Sequence, residues 1–221
     1  MSQIIEPEQG IHVVQNSKNS AGSVRIKNEE IILEAAKKEF VAHGFRGASI
    51  KSIAERAGIP RANIHYYFED KTEIYRRLLD SILDTWNSQY DTLIAENNPR
   101  EALTAYIKSK ITYSKEDPDA SRIFASEIIH GAPILADYLS GDFKQWMQSK
   151  VKVIEAWIDK GQMDRVDPHH LIFLIWSSTQ HYADFNVQVL AGLDKEKMTD
   201  ADFDNVVESL TSIILKGCGI S

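Results

Sequence analysis

The chain has 221 residues, of which 43% are hydrophobic, and a formal net charge of −7; these values are typical of a folded globular protein. No run of about eighteen apolar residues occurs, and no apolar segment precedes a cleavage site near the N-terminus, so we expect neither a membrane span nor export. Cys218 is the only cysteine, which excludes an internal disulfide and makes a reducing cytoplasm the expected location.

The charge is unevenly distributed along the chain. Residues 18–71 contain ten Lys and Arg against seven Asp and Glu, whereas residues 72–221 contain fifteen against twenty-three. The first part is therefore net positive and the second net negative. This asymmetry favours contact between the N-terminal part and a polyanion.

Residues 1–27 are predicted to form a mobile N-terminal arm, because Gln, Asn, Ser and Gly are frequent and no hydrophobic period emerges. The basic residues of this arm either contact phosphates or face solvent; they are Lys18, Arg25 and Lys27. A first helix is predicted from near Asn28 to Gly44, with an apolar stripe along one face. Phe45 is expected to fold back onto a small core.

Residues 49–71 are predicted to form two short helices joined by a tight turn. Apolar residues repeat at helical spacing in the first helix, Gly58 supplies the left-handed conformation that ends it, and Pro60 suits the first turn of the second. The Ser49 hydroxyl is expected to cap the first helix near Ser52. The pattern predicts a helix-turn-helix. An ordinary hairpin of a helical bundle is the alternative, but the second helix is short and polar for that role.

The stretch AAKKEFVAHGFRGASIKSIAERAGIPRANIHYYFEDKTEI, within residues 28–74, resembles the DNA-binding domain of the TetR family of transcriptional regulators. In a helix-turn-helix the start of the second helix faces base edges, and neighbouring residues hold phosphates. The residues predicted to lie nearest the bases are Arg61, Ala62 and Asn63, and those predicted to position the DNA backbone are Ser49, Tyr66, Tyr67 and Lys71. Pro60 and His65 stand where the family commonly has Ser and Tyr, so contacts by those two side chains are not carried over.

A long helix is predicted from Thr72 to Asn97, because apolar residues recur about every four positions. Asp70 and Thr72 are both placed to cap it. This helix leaves the DNA-binding domain, predicted as residues 28–71, and enters a second domain, predicted as residues 72–221. It is the expected mechanical link between the two domains.

The rest of the chain is predicted to be helical, so the expected fold class is all-α, with a three-helix helix-turn-helix domain followed by an α-helical effector-binding and dimerisation domain. Helix starts are indicated at Asn98–Pro99, Asp117–Pro118, Pro133, Asp167–Pro168 and either Asp200 or Asp202. The helix after Asp167 is predicted to continue to Leu190.

Two of these helices carry more apolar surface than one domain core needs. Residues 171–176 are apolar on every side of their helix, and the last helix has a continuous apolar stripe. Paired with the same two helices of a second subunit, they would form a two-fold, four-helix interface. The alternative is that both helices are internal to a monomer.

Several stretches of the second domain, among them DPDASRIFASEIIHGAP and DPHHLIFLIWSSTQHYADF, resemble the effector domains of the pyrimidine-sensing branch of the TetR family. The resemblance implies a homodimer that binds a small molecule such as uracil or thymine. Trp176 and Gln180 are four residues apart on one helix face, where an indole could stack on a pyrimidine and an amide could pair with its edge. Trp86 is predicted to add a second wall. The alternative for Gln180 is a buried amide satisfied by nearby backbone.

No motif indicates an enzyme, a cofactor or a metal site. His181 and Asp184 are three residues apart, but no local spacing supplies three zinc ligands. The favoured function is a ligand-responsive, sequence-specific regulator, expected to be a repressor that binds a two-fold symmetric double-stranded DNA operator as a homodimer. A multidrug-sensing repressor of an efflux pump and a non-enzymatic architectural dimer are the alternatives.

Overall fold

The structure is a computed structural model that describes residues 16–89 and 93–220. Within these ranges the chain forms helices and no strand, which confirms the all-α fold class. The helices are α1 (Asn16–Gly47), α2 (Ile50–Ala57), α3 (Arg61–Tyr67), α4 (Lys71–Gln89), α5 (Pro99–Glu116), α6 (Pro118–Ile129), α7 (Ala136–Ser140), α8 (Asp142–Asp159), α9 (Pro168–Asp184), α10 (Asn186–Leu193) and α11 (Asp200–Gly217). Among them, none has the length and apolar character needed to cross a membrane.

The first helix differs from its prediction at the N-terminal end. It begins at Asn16, not near Asn28, so residues 16–27 are helical where an arm was expected; residues 1–15 lie outside the described part. At the other end, Gly44 adopts a φ of 65° and kinks the helix. The kink turns Phe45 back onto the core, where its ring lies 6.0 Å from that of Phe40, as the sequence predicted.

The predicted turn between α2 and α3 is confirmed in detail. The Ser49 hydroxyl accepts the backbone N–H of Ser52 at 3.0 Å, and the Ser52 side chain returns a bond to the Ser49 backbone. Gly58 ends α2 with a φ of 66°, a left-handed conformation that a Cβ atom would disfavour. Ile53 and Ile64 are fully buried and join the two helices to α1.

The linking helix α4 is shorter than predicted, because residues 93–97 are not helical. Its start is capped as expected, since the Asp70 carboxylate accepts the backbone N–H of Glu73 at 2.8 Å. Trp86, in the last turns of α4, is buried within the second domain. The helix therefore connects the two cores directly.

The second domain is assembled around α5, against which α9 and α11 both pack. Tyr106 of α5 and Trp157 of α8 are fully buried. The helix predicted to run from Asp167 to Leu190 is interrupted at Phe185, so that α9 and α10 are separate. Neither Gly nor Pro marks this break in the sequence.

A second junction between the domains lies where α6 packs on α1. The Lys37 ammonium bonds to the Asp117 carboxylate at 3.1 Å, and the Lys38 ammonium bonds to the Asp119 carboxylate at 2.7 Å. Because Asp117 and Asp119 lie at the start of α6, the first domain contacts the second through α6 as well as through α4.

Candidate DNA-binding surface and effector cavity

The start of α3 presents the three side chains predicted to face DNA bases. Arg61, Ala62 and Asn63 are all exposed, while Ile64, one residue further on, is fully buried against the first domain. The backbone N–H of Asn63 bonds to the Pro60 carbonyl at 2.8 Å, which closes the first turn. The helix thus offers its N-terminal end to a partner, and the predicted base contacts stay a prediction.

The end of α3 carries the two tyrosines predicted to hold phosphates. Tyr66 is 69% exposed, and its ring meets that of Tyr67 edge-on with centroids 5.0 Å apart. The Tyr67 hydroxyl accepts a hydrogen bond from the Asn28 amide at 2.8 Å, and the Arg25 guanidinium lies 5.7 Å from the centre of the Tyr66 ring. Asn28, at the predicted start of α1, and Arg25, before that start, therefore both contact the end of α3.

Ser49 and Lys71 have partners inside the protein. The Ser49 hydroxyl is bound to Ser52, yet the residue is exposed. The Lys71 ammonium donates to the carbonyls of Phe45 and Ala48, at 2.6 Å and 2.8 Å. The structure thus gives Lys71 a role in joining α4 to the end of α1 and to Ala48, and its predicted phosphate contact is untested.

A cavity of about 450 Å³ lies in the second domain between α4, α5, α6, α7, α8 and α9. Most of its wall is apolar or aromatic, and these residues are Leu83, Trp86, Phe124, Ala125, Ile128, Ile129, Leu139, Phe143, Trp146 and Trp176. The polar residues of the wall are Asn87, Lys110, Tyr138, Gln180 and Asp184. A concave, mostly apolar cavity with a few polar groups is the usual form of a small-molecule site.

The structure brings all three residues of the predicted effector site into this cavity. Trp86 comes from α4, and Trp176 and Gln180 come from one face of α9. The Trp176 indole N–H donates to the Tyr106 hydroxyl at 2.6 Å, and its ring stacks on Trp146 with centroids 5.6 Å apart. These contacts fix the orientation of the indole before any ligand arrives.

Two charged residues of the cavity were missed by the sequence reasoning. The Lys110 side chain is buried, with its ammonium 4.6 Å from the centre of the Trp86 ring, and burial lowers its pKa to about 7 against the opposing effect of Asp184. Burial also raises the pKa of Asp184, whose carboxylate accepts the Ser121 hydroxyl at 2.6 Å. The four-residue spacing from Gln180 to Asp184 places both side chains on one helix face, and it was the feature of the sequence that could have predicted Asp184 as a cavity residue. From the sequence, Asp184 is interpreted only as a candidate metal ligand beside His181.

The sequence offers no comparable signal for Lys110, because the cavity forms from helices distant in the chain. As for metals, the described residues contain no group of three His, Cys, Asp or Glu placed to hold an ion.

The two domains correspond to two family models. Residues 32–78 match "Bacterial regulatory proteins, tetR family", and residues 79–221 match "YcdC-like protein, C-terminal region". The HTH-type transcriptional regulator RutR of Escherichia coli strain K12 is 39% identical over 189 residues, which cover 86% of this chain and 89% of that protein. The chain belongs to the TetR family. It is accordingly a transcriptional regulator and not an enzyme.

More distant relatives agree with this assignment. The HTH-type transcriptional regulator TtgR of Pseudomonas putida is 34% identical over 73 residues, about 33% of each chain. Among solved structures, the ketosteroid transcriptional regulator KstR2 of Mycobacterium tuberculosis superposes with a TM-score of 0.71 at 20% identity, over 86% of this chain and 94% of that one. At this identity, the likeness to KstR2 concerns the fold alone.

Proposed function

We propose that this TetR-family regulator is a repressor that senses a pyrimidine such as uracil or thymine. The observation that carries the proposal is the meeting of Trp86, Trp176 and Gln180 in one cavity. Indole rings offer flat apolar walls to a planar ring, and a primary amide offers a donor and an acceptor to an imide edge. The 39% identity to RutR, a regulator of pyrimidine utilisation, supports the same ligand class.

The charges of the cavity do not favour the cations expected for a multidrug sensor. One ammonium, that of Lys110, lies in the wall, and one carboxylate, that of Asp184, balances it. A cationic drug would be repelled by the first and attracted by the second, so the cavity has no net preference for cations. A purely architectural dimer would leave the cavity without a role.

In this proposal residues 28–71 form the DNA-binding domain and residues 72–221 form the effector-binding and dimerisation domain of a cytoplasmic homodimer. The exposed start of α3 faces the bases of a two-fold symmetric operator, and the flanking residues contact phosphates. The extended α1 adds residues 16–27 to the first domain.

Titration calorimetry tests the ligand. Uracil and thymine are expected to bind the wild-type protein, and Gln180→Leu should weaken binding by about 1–3 kcal/mol, because the polar edge of the ligand loses its partner in a buried site. Gln145→Leu, on the exposed side of α8, is the matched control and should bind like wild type.

A mobility-shift assay should show that Gln180→Leu binds the operator normally without ligand. Absence of binding to wild type would contradict the pyrimidine proposal and leave DNA binding untouched.

A further inference from the structure

Three of the polar residues in the wall of the effector cavity come from α5 and α9. Trp176, Gln180 and Asp184 follow one another at intervals of four residues, so one face of α9 leads from an aromatic wall to a carboxylate. Lys110 enters from α5, close enough to Asp184 for the two charges to act on each other. We call Lys110, Gln180 and Asp184 the polar set of the cavity.

Hydrogen bonds within the protein determine what the polar set offers to a ligand. The Ser121 hydroxyl, itself buried, donates to one carboxylate oxygen of Asp184 and fixes its orientation. The Trp176 N–H is directed to the Tyr106 hydroxyl, so the indole presents its ring to a ligand and not its donor. Polar contacts to a ligand can therefore come from Gln180, Lys110 and Asp184, beside Asn87 and Tyr138 of the same wall.

The Lys110 side chain is buried and the Asp184 side chain is half-buried in the cavity wall, and both charged groups are stabilised by every polar group that solvates them. A ligand that accepts from the ammonium and donates to the carboxylate adds to that solvation. A neutral ring with a carbonyl beside an N–H has this pattern. By contrast, an N-methylated ring offers the carboxylate no donor.

We propose that Lys110 and Asp184 determine ligand specificity: Asp184 accepts a ring N–H of a neutral cyclic imide, and Lys110 donates to the adjacent carbonyl. This inference rests on the proposed pyrimidine-sensing function and adds a rule for which pyrimidines are accepted. A ligand without this pattern is rejected because it occupies the space beside a buried charged group and forms no hydrogen bond to that group. The lost hydrogen bond discriminates between ligands more strongly than a difference in their shape does.

The first test uses the full-length wild-type protein and varies the ligand. 1,3-Dimethyluracil keeps both carbonyls of uracil but has no ring N–H. It is expected to bind at least about tenfold more weakly than uracil in titration calorimetry. If 1,3-dimethyluracil binds within about threefold of uracil, the role of Asp184 is refuted without recourse to any variant.

The second test varies the protein. Asp184→Asn and Lys110→Met should each weaken uracil binding by roughly 10- to 100-fold, because a charge-assisted hydrogen bond is lost. In Asp184→Asn the penalty for dimethylation should also shrink by about tenfold, which identifies the N–H as the partner of this carboxylate. Asp137→Asn and Lys108→Met make the same chemical changes at exposed positions outside the cavity and should bind uracil like wild type.

The outcomes separate this inference from the proposed function. If wild type binds uracil while Asp184→Asn binds it equally well, the specificity rule fails and pyrimidine sensing stands. If wild type binds no pyrimidine, both fail together. Should either variant not fold, as judged by circular dichroism, the ligand series on wild type decides the question.

Discussion

The ammonium of Lys71 is held inside the first domain. It donates to the carbonyls of Phe45 and Ala48 and lies 4.6 Å from the centre of the Phe45 ring. Both carbonyls belong to the segment that follows the Gly44 kink, so the first turn of α4 is attached to the last turn of α1 and to the residue that follows it. An ammonium has three donors, and a phosphate contact would have to use the third or displace a carbonyl.

We therefore expect Lys71→Met to lower the free energy of unfolding by about 1–3 kcal/mol, because two carbonyls lose a charged donor. Urea denaturation measures this loss. Lys51→Met is the matched control, since Lys51 is exposed and its ion pair with Glu55 spans 3.8 Å. If stability is unchanged and the salt dependence of operator binding instead falls by about one unit, Lys71 is a phosphate contact and its internal bonds are incidental.

At the scale of helices, α6 joins the effector cavity to the DNA-binding domain. Phe124 and Ile128 line the cavity from its side, while Asp117 and Asp119 at its start bind lysines of α1. Near its end, the buried Glu127 carboxylate accepts the backbone N–H groups of residues 134 and 135, at 2.6 Å and 3.2 Å. The segment that leads into α7, and thus to the cavity, is fixed by this carboxylate.

Glu127 also reaches α4. Burial raises the pKa of Tyr75, and the negative charge of the nearby Glu127 carboxylate raises it further. The Tyr75 ring packs on Phe40 and Phe45 of the first domain, with centroids 4.8 Å and 4.9 Å away. Neighbouring side chains therefore lead from the cavity through Glu127 and Tyr75 to the core that supports α3. The sequence had indicated α4 alone as the linking element.

We expect Tyr75→Phe to reduce the effect of ligand on operator affinity by about 3- to 10-fold, because a ligand acts on DNA binding only through the arrangement of domains that it prefers. Ligand affinity without DNA, measured by calorimetry, should stay close to wild type, since Tyr75 does not line the cavity. Tyr182→Phe removes a hydroxyl of α9 outside the cavity and serves as the control. An undiminished ligand effect in Tyr75→Phe would show that coupling passes elsewhere, through α4 or through the Lys37–Asp117 junction.

Local chemistry made some of these elements predictable and left others hidden. Ser49, Gly58 and the Asp167–Pro168 pair mark helix ends by capping and backbone conformation, and the structure has helix ends there. The break at Phe185 carries no such mark. In the cavity, Trp176 and Gln180 could be paired from their spacing on one helix, whereas Lys110 lies on a different helix and joins them only in the folded domain.

Over the whole molecule, the remaining exposed apolar side chains indicate where a second subunit packs. Phe173 and Leu174 of α9 are 47% and 51% exposed, and Ile213 of α11 is 64% exposed. Val206, on the same apolar stripe of α11, is buried and so belongs to the interior of its own subunit. In the proposed homodimer the outer faces of α9 and α11 form the interface, and this arrangement stays a prediction.

Glutamate substitution tests that interface in the assembled protein. Ile213→Glu and Leu174→Glu should each convert the dimer to folded monomers, because a charge placed in an apolar interface cannot be solvated there and neither side chain supports its own core. Size exclusion with light scattering at micromolar concentration measures the change, and Val24→Glu, at an exposed position of α1, controls for the added charge. Loss of the dimer should also lower operator affinity, because a monomer cannot bind both half-sites of the operator at once. A wild-type monomer under these conditions, or dimers that persist in both variants, would place the two-fold contact away from α9 and α11.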